Sequence, residues 1–374
     1  MAEVTLSSRH GLNTTAPLNR FNQALQPQLA RFAARSPRIA QLAQTHPYLF
    51  VALACQTGPQ EFRRIAIQRT TDGEPLSRVC DAVQMPLSLR RLPPEACIET
   101  PSPALWARAA DKTLAANIPA KPALARQWLR TITLAHHLCD ERFALWVARQ
   151  PEMLDTDKVP EVGLVALAVY AWHVQHGELP PPVTAALRWT PRLSLKTAIR
   201  RARHWRAYCA LERLLTVAGV APWIEHSVCN GYEFMPLNTA ERLFEEGVAM
   251  KNCVMSYGEA IAKDDCRLFG IRRSGAYAAT LEIRHIKPRN YLAITQIKGW
   301  ANGKCPDDAA IAARDWIADF RDSPPVPREP PANRPDQLAG YRRAKLTGPF
   351  GCASLDWSLI EAGLSSLSWR DMMR

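Results

Sequence analysis

The chain has 374 residues, 47% of them apolar and 22% charged, with 30 Pro and 17 Gly, a composition that allows a buried core and excludes disorder throughout. Length sets a soft prior of about two or three domains, and 47 Lys plus Arg against 35 Asp plus Glu give a formal net charge of +12, which favours an anionic partner, nucleic acid (DNA or RNA) first. The longest apolar runs, residues 48–55 and 162–172, are shorter than the roughly 20 residues that cross a bilayer, and no apolar stretch with a cleavage site follows a basic start. We therefore expect no membrane span and a cytoplasmic location.

Residues 1–45 read as a basic arm followed by one helix, with helical periodicity over 21–44; the first 50 residues carry one acid, Glu3, and five Arg. Residues 46–230 have mainly helical periodicity. Leu124, Trp128, Ile132, Ala135 and Cys139 form one stripe, and residues 162–175 are apolar on most sides. Proline-containing segments at 86–103, 151–160 and 180–182 divide this α-rich region into five to seven expected helices.

Within residues 231–323 the pattern predicts a short helix over 239–246 ended by Gly247, then a second helix from about Met250 with Cys253 in its first turn. Near residue 266 the period becomes two, predicting strands at 266–273, 277–285 and 291–298. Ser274-Gly275 and residues 287–290 supply the turns of an antiparallel meander. Asp307 or Asp308 is placed to cap a closing helix carrying Ile311, Trp316, Ile317 and Phe320. Six Pro in residues 324–335 predict a stiff spacer, and the tail 336–374 carries one weak helix around 355–364. The expected fold class is α+β: an α-rich N-terminal region, then a small domain with a three- to four-stranded antiparallel sheet and flanking helices.

Two constellations carry candidate chemistry. In the first, a thiol at a helix start beside Lys251 makes Cys253 the candidate reactive cysteine, although a free Cys more often packs in a core. Alternation places Thr280, Glu282 and Arg284 on one strand face and pairs Gln296 with Lys298, on the parity of Leu292 and Ile294. If these polar faces coincide, Tyr257, Glu282, Gln296 and Lys298 join Cys253, with Arg272 and Asn302 at the ends, as a proton-handling and anion-holding cluster. A solvated sheet face is the competing outcome. In the second, Arg188, Arg192, Lys196, Arg200, Arg203 and Trp205 belong to a segment with seven Lys or Arg and no acid between Glu178 and Glu212. With Pro191 in a first helical turn, its cations would meet phosphates while Trp205 or Tyr208 stacks on a base. The competing arrangement turns the indole into the core.

Ten Cys are spread without any C-x-x-C pair, so most are expected as reduced core thiols and no structural zinc is indicated. His136, His137, Asp140 and Glu141 offer ligand pairs on one helix but do not close a site, even with His173 and His176 considered. No metal or other cofactor is assigned. Neither G-x-S-x-G, a Walker A loop, a Rossmann fingerprint nor H-E-x-x-H is present.

The ordered series Leu243, Glu246, Gly247, Met250, Asn252, Cys253, Val254 and Tyr257, then Ile271-Arg272, Thr280 to Ile283, and Gln296 to Gly299 with Asn302, resembles the PcfJ-like family found on conjugative plasmids and related mobile elements. The upstream run Leu89 to Ala96 is similar to a segment of its proteobacterial members. The resemblance implies an association with mobile DNA and no settled reaction. That family often has His before the Cys, whereas this chain has Asn252, so no adjacent His–Cys pair exists; His226 and His285 are the spatial alternatives. The leading expectation is an accessory protein of a mobile element that binds nucleic acid during transfer, maintenance or processing, with conjugation or other mobile-element proteins as further partners. The alternatives are an enzyme using the Cys253 cluster on a nucleotide, nucleic-acid or protein substrate, and a protein-interaction scaffold.

Overall fold

A computed structural model describes residues 18–97, 110–155, 159–321 and 357–367. The first part of the expected arm and the Pro-rich spacer with most of the tail lie outside these residues. The chain divides into two units: one contains the described residues up to Val169 with Thr190–Leu195 and 365–367, the other the described residues of Tyr170–Trp189 and Lys196–Leu364.

The first unit is helical: α1 (Gln26–Ala33), α2 (Pro37–Thr45), α3 (Pro47–Ala54), α4 (Gln60–Asp72), α5 (Leu76–Ala82), α6 (Ala110–Asn117), α7 (Pro122–Leu138) and α8 (Glu141–Val147), continuing into α9 (Glu161–His176). The single helix expected over 21–44 is thus two, α1 and α2. Ser36 caps α2 by accepting from the Arg38 amide, and Pro37 supplies the fixed first-turn φ, so the Ser-Pro pair starts a helix where periodicity alone ran through. His46-Pro47 starts α3 the same way, with Nδ1 of His46 accepting from the Leu49 amide at 3.2 Å. On the α7 stripe, Trp128, Ile132, Ala135 and Cys139 are buried as expected, while Leu124 is exposed and Ala125 takes its place inside.

In the second unit α10 (Pro181–Leu187) and α11 (Leu195–Ala218) precede the sheet. From α3 to α11 nine α-helices are described, more than the five to seven expected, because most Pro here open helices rather than separate them. The described tail segment forms one helix, Trp357–Ser366, of which Glu361 accepts from Arg206 Nε and Nη2 at 3.3 and 3.0 Å.

The sheet has five antiparallel strands in sequence order: β1 (Ser227–Cys229), β2 (Tyr232–Pro236), β3 (Arg267–Arg273), β4 (Ala276–Ile286) and β5 (Tyr291–Lys298). The three later strands match the period-two reading. The expected three or four strands become five through the β1–β2 hairpin, whose turn residues Asn230 (φ 51°) and Gly231 (φ 74°) are both left-handed. Asn-Gly is the strongest short hairpin signal. Helical periodicity carried up to Asn230 had obscured it.

One sheet face packs on α14 (Asp307–Phe320), with α12 (Ala240–Met250) and α13 (Gly258–Ala262) inserted between β2 and β3. The Trp316 ring stacks on Phe234 at 4.5 Å and meets Phe269 edge-on at 4.9 Å, over a core that includes Ile271, Leu281, Ile283 and Leu292. Asp307 and Asp308 occupy the first turn of α14 rather than its cap position, which is Pro306. Ile311, expected on the apolar side, is 54% exposed. Asp308 instead accepts from the Tyr232 hydroxyl at 2.7 Å and tethers the helix to β2.

Candidate functional site

The opposite sheet face is covered by α12 and the turn that follows it. Thr239 caps α12 by accepting from the Arg242 amide, and the helix runs through Gly247 to Met250 before Lys251 (φ 49°) ends it in the left-handed conformation. Gly247 is therefore not the terminator. It is buried inside the helix, where an added Cβ would reach Met255 and Val254 side-chain atoms at 3.4 Å. Cys253 also does not open a long helix: it precedes a single 3-10 turn, Val254–Tyr257, which leads directly into α13. The core-packing alternative for Cys253 fails too, because it is exposed, whereas Cys80, Cys97, Cys139, Cys209, Cys266 and Cys305 are buried.

Cys253, Tyr257, Glu282, Gln296 and Lys298 line one cleft, together with Asn252, Thr280 and Asn302. Its free space is about 20 Å³, room for one water and not for a nucleotide. A polar substrate must meet this site at its mouth.

A β-bulge puts Gln296 there. Glu282 pairs with Gln296 while Ile283 pairs with Ile294, leaving Thr295 as the additional residue in β5. The bulge reverses the parity of β5, so Ile294 faces the α14 core and Gln296 faces the cleft, contrary to the same-face reading. Tyr257 donates its hydroxyl to Gln296 Oε1 at 3.1 Å. Burial, then the neighbouring Glu282, push the Tyr257 pKa up, which keeps its hydroxyl protonated. Glu282 is 6% exposed, and its Oε1 accepts from Arg284 Nε at 2.6 Å. Behind it, burial and Glu282 push the Cys266 thiol up to about 11. The polar face of β4 is thus buried at Thr280 and Glu282, not solvated.

Beneath the cleft runs a hydrogen-bonded chain. Asn252 Nδ2 donates to Thr280 Oγ1 at 2.8 Å, and Thr280 Oγ1 donates to Glu246 Oε1 at 2.6 Å. Glu246 is fully buried, and its Oε2 has no hydrogen-bond partner. Burial pushes its pKa up, opposed by Thr280 and by Arg272. Gly270 makes this possible: a Cβ there would lie 2.7 Å from Glu246 Oε2. Glu246 and Thr280 were not singled out as site residues from sequence. The readable signal was an acid on the apolar stripe of Leu243, Gly247 and Met250.

Arg272 does not join the cleft; it stands over the Tyr277 ring at 4.4 Å. His226 lies near Glu233 at 3.9 Å and His285 bonds Asn290 at 2.9 Å, so neither His pairs with Cys253. In the segments adjoining the lining residues Asn252, Lys298 and Asn302, Trp300 is 59% exposed and Lys251 Nζ lies over its ring, 4.8 Å from the centre. The loop carrying it is tight: a Cβ on Gly299 would meet the Lys304 carbonyl oxygen at 2.3 Å, and Ala301 is held at φ 53°. A left-handed alanine costs about 1 kcal/mol or more.

The second constellation is only partly available to a ligand. Trp205 is fully buried, its Nε1 donating to His173 Nδ1 at 3.1 Å, and Tyr208 is buried as well, so neither can stack on a base. Pro191 lies in a turn ahead of α11, not in its first turn. Arg188, Arg192, Lys196 and Arg200 are exposed, whereas Arg203 Nη2 donates to the Leu364 carbonyl at 3.4 Å. Among the described residues no group of three or more His, Cys, Asp or Glu is arranged to hold a metal ion. No described helix is long and apolar enough to cross a membrane.

No curated protein and no solved structure matches the chain. A protein-family model does: residues 221–311 match the family described as PcfJ-like protein, a segment that runs from the β1–β2 hairpin through the cleft to the start of α14 and leaves the Leu89 to Ala96 run outside it.

Proposed function

We propose that the chain is an accessory protein of a mobile genetic element whose PcfJ-like segment holds nucleic acid at the mouth of the Cys253 cleft. The observation that carries this reading is the exposed indole of Trp300, which has the Lys251 ammonium over one ring face and stands two residues from both Lys298 and Asn302 of the cleft lining, leaving its other face for a base. Base stacking on an aromatic side chain is worth about 1–3 kcal/mol, and lysines beside it meet the adjoining phosphates. Trp300 takes the stacking role that buried Trp205 cannot fill, and exposed Lys196 and Arg200 add to the attraction of a polyanion. The family match supports the mobile-element association.

Filter binding to single- and double-stranded DNA and RNA over a salt series tests it. Trp300→Ala should weaken single-strand binding by about 5- to 100-fold at every salt concentration, while Lys298→Glu should also flatten the salt dependence. Unchanged affinity in both variants, or no binding by the intact chain at low salt, overturns the reading.

A second reading is favoured by the exposed Cys253 thiol in the same cleft as Tyr257, Glu282, Gln296 and Lys298. In an enzyme, Cys253 would be the nucleophile, Lys298 would stabilise developing negative charge, and Tyr257 and Gln296 would position the reacting group. Cys253→Ala with full cellular activity eliminates it.

A further inference from the structure

The arginines of the first helices belong to neither constellation, and the fold gathers them. Gln28, Arg31, Phe32 and Arg35 follow the spacing i, i+3, i+4, i+7 along α1 and the turn after it. Gln60, Arg63, Arg64 and Ile67 repeat that spacing on α4. Residues so spaced share one helix face. Both faces line one open groove of about 580 Å³ in the first unit, to which no Asp or Glu contributes.

The floor is fixed by packing. Phe32 is 5% exposed, and Gln28 Nε2 donates to the Ala54 carbonyl at 2.7 Å, holding α1 to the end of α3. The charges above it are uncommitted: Arg31 reaches only the Pro27 carbonyl at 3.4 Å, Arg35 rests over the Phe32 ring at 5.5 Å, and among the described residues none of Arg31, Arg35, Arg63 or Arg64 forms an ion pair. The acids of α4 stand outside the lining, and Asp72 is engaged by Gln68 Nε2 at 2.9 and 3.1 Å.

We infer that this groove is a second nucleic-acid contact, in which Arg31, Arg35, Arg63 and Arg64 grip successive phosphates of a sugar-phosphate backbone. Guanidinium forks match phosphate oxygens geometrically. Four of them on two facing walls suit a strand of regularly spaced phosphates. Gln56 and Gln60 add amide donors and acceptors that suit sugars and base edges better than a lipid surface. The choice of nucleic acid over another polyanion rests on the function proposed above; the convergence of four unpaired arginines does not.

The test uses the full chain and a labelled single strand and duplex over a salt series. Arg31→Glu with Arg64→Glu should weaken duplex binding at least tenfold at low salt and reduce the log–log salt slope by about two, at about 0.9 per lost phosphate contact. Arg31→Gln with Arg64→Gln, which removes the two positive charges without adding negative ones and is checked by thermal melting, should show the same loss of slope. An unchanged slope in the glutamine pair overturns the inference, as does a pair that loses binding to phosphatidylglycerol vesicles while keeping nucleic-acid binding. Trp300→Ala run beside them separates the two sites: loss in the arginine pair alone supports the groove and removes the cleft reading, and loss in Trp300→Ala alone does the reverse.

Discussion

The two faces of the five-stranded sheet are both covered, but by different chemistry. Against α14, Phe234, Phe269, Ile271, Leu281 and Ile283 meet Trp316 in an aromatic and aliphatic core, and the one buried cation of that face of β3, Arg267, is paired with Asp264 and stacked on Trp223 at 4.7 Å. Against α12 and the turn after it, the same strands present Thr280, Glu282 and Gln296, and α12 returns a buried glutamate. Apolar burial is favoured in proportion to area, whereas each buried polar group costs unless it finds a partner. The first face therefore holds the domain together. The second spends stability on a fixed polar arrangement, and the exposed Cys253 thiol lines the cleft it forms.

The sharpest way to break the contrast is to attack the α14 face. Trp316→Ala should cost about 3–5 kcal/mol, the range for truncating a buried aromatic, read by urea unfolding. A loss below about 1 kcal/mol would mean that the stacked indole does not anchor that face.

On the cleft face the expected effects are smaller. Gly270→Ala pushes a methyl towards Glu246 Oε2, and overpacking of this kind costs about 1–3 kcal/mol. Adding Glu246→Ala should return part of that loss, since the two positions touch. Strict additivity of the two changes would show that the close approach is not what requires glycine.

The smallest effect is a change of slope. Burial raises the Glu246 pKa above its ordinary 4.5, so the folded chain holds the proton more tightly than the unfolded chain. The resulting stabilisation is complete below about pH 4.5 and is lost as pH rises through the raised folded value. Glu246→Gln mimics the protonated form. It should remove this slope and be at least as stable as the parent above the window, measured as Tm against pH. A variant with the parent's slope contradicts a buried carboxyl that favours its proton.

Much of the later sheet was legible because period-two alternation and turn residues are local: the strands 266–273, 277–285 and 291–298 were read within about a residue at each end. The β1–β2 hairpin is equally legible through Asn230-Gly231, but the helical period of the preceding residues runs up to Asn230 and masks it. The convergence of Cys253, Tyr257, Glu282 and Lys298 could be expected once the motif and strand faces were placed together. The hydrogen bond between Thr280 and Glu246 could not, since the apolar stripe of α12 marks Glu246 for burial without saying which strand residue it meets.

By itself, then, the sequence determined the α+β class, the late meander and the set of polar residues grouped near it, because propensity and periodicity act over a few neighbouring residues. Tertiary structure decided which way those side chains point. The bulge at Thr295 turns Gln296 from the core to the cleft, α11 packs with its Trp205 inward against His173, and Gly270 leaves the space that the Glu246 carboxyl occupies. Such choices depend on what lies across the fold, and a one-residue shift of register is enough to reverse them.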